Sequence, residues 1–141
     1  MSTYVDTSFL VSLYITEVHS PEAERRMASN PAIWLTPLHV AEWTHAIEHH
    51  VSRKALSRAE AKRYHELFQL HRESRLWLEV PIPEPAFELC ARLARRHAAR
   101  LALRTLDTLH VASALELKAE RFWTFDERQK RLAVSEGLQT T

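Results

Sequence analysis

Two aspartates, Asp6 and Asp126, each stand directly after a short apolar run, in Tyr4-Val5-Asp6-Thr7-Ser8 and Phe122-Trp123-Thr124-Phe125-Asp126. Such runs read as buried parallel strands. A carboxylate at the C-terminal end of such a strand sits on the rim where open α/β sheets bind ligands. Asp107 opens a helical stretch whose same-face neighbours at i+4 and i+7 are Val111 and Ala114. An acid leading an apolar face is partly desolvated and must find donors, a cation or a proton. A helix N-terminus supplies only about 0.3–1 kcal/mol, so a divalent metal is the stronger partner. Acids gathered on one rim would form a dense negative pocket that requires cations. Asp6 and Asp126 also suit helix N-caps, a role that carries no chemistry. Glu42 lies beside the apolar stripe of its helix, and periodicity alone reads it as a solvated glutamate.

These acids need elements to hold them. Strands are expected at residues 3–5, 33–36, 76–80 and 121–125, with 138–140 as a further edge. Ser20-Pro21 reads as a helix start with a hydroxyl N-cap and proline at the first helical position. Helices are expected over 38–51 and 57–74, the second opened by the capping box Ser57-Arg58-Ala59-Glu60. Pro81, Pro83 and Pro85 stop the third strand. A helix over 85–100 carries an apolar stripe of Phe87, Cys90 or Ala91, Ala94 and Ala98, with Arg92, Arg96 and Arg100 as a separate stripe at stride four. Thr105 can cap the next helix, to about 118, and a last helix over 127–134 ends at Gly137. Strands alternating with helices predict a parallel α/β sheet with helices on both faces.

The whole chain narrows the chemistry. Its 141 residues fit one domain, 1–141, and a net charge of +1 does not itself argue for nucleic acid. A single cysteine, Cys90, excludes an intramolecular disulfide framework. One glycine cannot build phosphate-cradling loops, which argues against ATP- and NAD-dependent chemistry. With no apolar run near the roughly 20 residues of a membrane span and no signal-like start, a soluble cytoplasmic protein is expected. Between Glu88 and Asp107 there is no acid but five arginines, including Arg96, Arg100 and Arg104. Such a run reads either as a solvated helix face or as a phosphate-tracking surface. The four tryptophans lie in or beside apolar runs and read as core.

The stretches Tyr4 to Leu10, Ala41-Glu42, Leu103 to Ala114 and Phe122 to Arg128 together resemble the PIN-domain ribonucleases, most closely the VapC-like toxins of toxin–antitoxin pairs. The resemblance implies a PIN-like three-layer fold with a central parallel sheet of four or five strands. It implies a catalytic, metal-binding set of Asp6, Glu42, Asp107 and Asp126, with Ser8 and Thr124 at supporting hydroxyl positions. Glu42 enters on this resemblance alone. The implied activity is endoribonucleolytic hydrolysis of RNA by metal-activated water, with Mg²⁺ or Mn²⁺ as cofactor, a small antitoxin protein as partner and a homodimer as the assembly. Both ions prefer oxygen ligands, so carboxylates suffice. Arg104, Arg100 and Arg96 are candidates for RNA binding.

Competing readings carry less. His45-Ala46-Ile47-Glu48-His49 fits the inverted zinc-protease pattern, but nine histidines make a chance match easy. An aspartyl phosphatase would want a second aspartate at position 8, where Ser8 stands. A PIN-like module that binds RNA or protein without cleaving it is the remaining alternative.

Overall fold

The computed structural model describes residues 2–141. Four strands, β1 (Ser2–Val5), β2 (Ala32–Leu35), β3 (Leu78–Glu79) and β4 (Arg121–Trp123), form one sheet in the order β3-β2-β1-β4. Every pairing is parallel. The 138–140 segment contributes a single bridge, Arg121 to Gln139, rather than a fifth strand. Among the described residues, eight α-helices lie between and after the strands: α1 (Thr7–Ser12), α2 (Ser20–Met27), α3 (Pro37–Ser52), α4 (Arg58–Glu73), α5 (Pro85–Leu93), α6 (Ala99–Leu101), α7 (Thr105–Glu116) and α8 (Glu127–Ser135). A π-helical turn, Ala94–Ala98, joins α5 to α6.

Side chains alternate across a strand, so each strand feeds two cores. Val5 and Trp123 pack on one face with Phe9, Trp43, Phe68 and Trp77. Tyr4 and Phe122 pack on the other with Cys90, Leu93, Leu109 and Leu132. Burying such side chains contributes about 1.5–3 kcal/mol each, and it fixes the strand register that the site depends on. Trp43, Trp77 and Trp123 are buried core residues, as expected. Among the described residues no helix is long and apolar enough to cross a membrane.

Several local expectations are corrected. The α2 cap position is His19, without a side-chain cap bond. The Ser20 hydroxyl instead donates to the carbonyls of Ser12 and Ile15 and accepts from Glu17 N. Thr105 is the first residue of α7, and Arg104 occupies its cap position. The buried face of α5 is Ala86, Cys90 and Leu93, while Phe87 is 56% exposed. Small side chains let α5 approach α7 closely, so the bulky phenylalanine points outward. The π turn also breaks the α-helical stride on which the arginine stripe depended. Arg96 pairs with Glu136 at 3.2 Å and Arg100 with His97 at 2.8 Å.

Strand order places the site. From β1 the chain winds outward through β2 to β3, then returns to add β4 on the other side of β1. The ends of β1 and β4 therefore flank a topological switch point, where open α/β sheets leave a crevice. Asp6 follows β1 directly and Asp126 follows β4 after two residues. A backbone bond from Asp6 N to Trp123 O, 3.0 Å, ties the two strand ends together.

Candidate metal centre

Asp6 and Asp126 both cap helices, and the capping itself orients them. Asp6 accepts from Ser8 N at 3.2 Å and from the Ser8 hydroxyl, at the start of α1. Asp126 Oδ1 accepts from Arg128 N and Gln129 N at 2.9 and 3.0 Å, at the start of α8. At Asp6 strand end and helix start coincide, so the cap residue also faces the crevice. Ser8 thus holds the Asp6 carboxylate through both its amide and its hydroxyl. Thr124 accepts from Asp126 N at 3.1 Å and donates to Gln129 Oε1 at 2.7 Å.

Gln129 is the residue the sequence did not single out. It is fully buried. With Oε1 engaged by Thr124, its Nε2 donates to Asp107 O at 3.1 Å and, at 3.4 Å, to Asp6 Oδ1. One amide thereby links the segments that carry Asp6, Asp107 and Asp126. Its place three residues after Asp126 is the only signal in the sequence, and a glutamine there usually faces water.

Glu42 is not a free surface glutamate. Its Oε1 accepts from the Thr7 hydroxyl at 2.7 Å and from His110 Nε2 at 2.5 Å. His110 is 1% exposed, and its Nδ1 shares a hydrogen bond with the Tyr4 hydroxyl at 2.8 Å. His110 Nε2 also lies 3.9 Å from Asp6 Oδ1, so one imidazole neighbours two of the acids. His39 packs against this ring at 4.9 Å and donates through Nε2 to Val5 O at 2.8 Å. Burial and then the neighbouring His110 push the His39 pKa down to about 3, so it remains neutral. Burial alone would raise the Glu42 pKa; the bonds and charge of His110, with Thr7, more than offset it and leave it below the ordinary value. Thr7 and His110 lie 35 and 68 residues from Glu42 in sequence, beyond the reach of periodicity. His110→Ala strips a half-buried carboxylate and a buried phenol of their shared partner. We expect a loss of about 2–4 kcal/mol, read by urea denaturation; a loss below about 1 kcal/mol would show the network to be dispensable.

Asp107 is the least compensated acid. Its pKa is raised, first by burial and then by the charge of Asp6, with Asp126 adding to the effect. Arg104 opposes this from 3.7 Å, but its side chain is 85% exposed, and such pairs contribute at most about 1 kcal/mol. Val111 and Ala114, on the same helical face, are fully buried as expected.

Asp6, Glu42 and Asp107 line one cleft of about 430 Å³, together with Ser8, His19, His50 and Phe125. Asp126 is not on its wall, yet stands near enough to act on Asp107. Among the described residues no three His, Cys, Asp or Glu side chains form a ready-made metal cage. Protein donors hold Asp6 and Glu42 where they stand. The donor set nonetheless fits a hard divalent cation: carboxylate oxygens, like charges acting on one another, and one half-buried acid without adequate counter-charge. The zinc-protease reading fails locally, because Glu48 is bound to Arg58 and His65 at 2.9 Å each.

The family model for the PIN domain matches residues 3–135. Among proteins of curated function, none matches the chain. Three solved structures are similar over nearly their whole length. VapC20 of Mycobacterium tuberculosis, a toxin that cleaves the sarcin–ricin loop, is 17% identical with a TM-score of 0.72, covering 99% of this chain and 98% of that one. FitAcB of Neisseria gonorrhoeae is 16% identical with a TM-score of 0.70, covering 99% and 96%. VapBC2 of Rickettsia felis, bound to promoter DNA, is 14% identical with a TM-score of 0.67, covering 100% and 98%. At these identities the likeness concerns the fold.

Proposed function

The chain belongs to the PIN-domain family, and from that premise we propose that it is a metal-dependent endoribonuclease, the toxin of a toxin–antitoxin pair. The observation that carries the proposal is Asp107, a half-buried carboxylate repelled by Asp6 and Asp126 at the β1/β4 switch point. Asp6, Glu42, Asp107 and Asp126 would hold Mg²⁺ or Mn²⁺. The ion supplies a water of lowered pKa and positive charge against the developing phosphate charge. The chain's own part is positional. Ser8 and Gln129 fix Asp6, Thr7 and His110 fix Glu42, and Thr124 turns the Gln129 amide toward Asp6 and the Asp107 backbone.

A protein antitoxin is the proposed partner, since solved neighbours of this fold include the complex from Rickettsia felis and a toxin–antitoxin complex from Klebsiella pneumoniae. A cytoplasmic, single-domain homodimer completes the reading. The test is cleavage of RNA by purified protein with and without Mg²⁺ or Mn²⁺. Cleavage only with metal supports the proposal; RNA bound but intact under every metal favours the non-catalytic module.

Arg104 is the proposed RNA contact, because it alone of the three candidate arginines lies beside a site carboxylate. Its exposed guanidinium is free to meet a phosphate. Arg104→Ala should weaken RNA binding and reduce the salt dependence by roughly one phosphate contact. Titrations across a salt series check this, and an unchanged slope would return Arg104 to the cap of α7.

A further inference from the structure

We propose that His19, backed by Phe125, is a stacking platform for an unpaired RNA base at the mouth of the carboxylate cleft, an inference that rests on the ribonuclease reading above. Three rings lead from the core to the surface. Phe9 is fully buried, Phe125 is half-buried and His19 is exposed. Phe9 and Phe125 lie 5.4 Å apart with planes at 15°, and His19 lies on Phe125 at 4.2 Å and 6°. Phe9 is anchored in turn against Trp123 at 5.5 Å.

The placement suits a nucleotide. Phe125 directly precedes Asp126, and both His19 and Phe125 line the cleft that contains Asp6 and Asp107. A strand whose phosphate sits at the acids brings a neighbouring base within reach of this wall. The His19 ring nitrogens make no hydrogen bond to any described residue, so the ring is held by stacking alone and its edge is open to a base or phosphate. A ring whose plane is already fixed loses little freedom on binding. Stacking also tolerates any base, because every base offers a π-face. That tolerance agrees with a sequence that shows no base-reading motif.

The test compares His19→Ala and His19→Trp in full-length protein carrying Asp107→Asn to block cleavage. Two fluorescent probes are titrated by anisotropy: a short single-stranded RNA and the same backbone with abasic sites throughout. His19→Ala should raise the Kd for the base-bearing strand on the order of ten-fold. His19→Trp should restore it, and the abasic strand should bind all variants alike. Equal affinity of His19→Ala and its parent for the base-bearing strand overturns the platform. So does an equal loss on the abasic strand, which would mark a phosphate contact. A parent protein that binds neither probe overturns the RNA reading itself, and the platform with it.

Discussion

Asp107→Asn is expected to stabilise the metal-free protein at neutral pH while lowering RNA cleavage by at least about 10²–10³-fold, the loss typical when one charge-stabilising group leaves a catalytic site. The two effects share one cause. The folded protein holds the Asp107 pKa above its ordinary value of 3.8, through burial and then the charge of Asp6. Its ionised form is thus penalised on folding. Stability falls as pH rises from that ordinary value through the raised one, and the penalty is complete above it. Asparagine removes the penalty together with the proposed ligand. The gain should disappear in melts taken below pH 3.8, where the acid is protonated in both states. Glu42 has the opposite sign. Its folded pKa is lowered, so its contribution is present above the ordinary 4.5 and is lost as pH falls through the lowered value. Glu42→Gln should therefore destabilise, by about 1.5–3 kcal/mol for a lost bond to a charged group. If both substitutions destabilise equally, the electrostatic account of the cleft is wrong.

Divalent metal is expected to raise the melting temperature substantially. A ligand that binds only the folded state at a hundred times its Kd adds about 2.7 kcal/mol. For a chain of this size that corresponds to a shift on the order of 5–10 °C. The shift should be large in wild type, with both Mg²⁺ and Mn²⁺, and small in Asp107→Asn, which lacks the proposed ligand. Differential scanning across a metal series measures it. A wild-type melting temperature indifferent to millimolar metal would count against the site.

What was legible in the sequence was what local pattern encodes. Asp6 and Asp126 stood out because each ends an apolar run, and a strand end at a switch point is where ligands collect. The Ser57–Glu60 capping box and the Gly137 stop were also local, and both are present. The supporting residues were not local. Gln129 meets Asp6 across 123 positions, and His110 meets Tyr4 across 106. No helical or strand period links such partners; only the closed sheet does. The α5 stripe was misread for a different reason. Residue size suggested Phe87 faced inward, whereas close helix packing selected Ala86.

Asp6 and Asp126 show why a capping role and a ligand-binding role are hard to separate from sequence. The N-cap roles of Asp6 and Asp126 are real, and at Asp6 the capped carboxylate also lines the crevice. Glu42 reads as solvated in sequence because its partners arrive from α1 and α7.

The most direct measurement is end-group analysis of RNA cut by the purified protein in Mg²⁺ or Mn²⁺. Hydrolysis by water predicts 5′-phosphate and 3′-hydroxyl ends, formed only with metal and absent with Asp6→Asn or Asp107→Asn. Ends bearing 2′,3′-cyclic phosphate, or cleavage that persists in excess chelator, would contradict it.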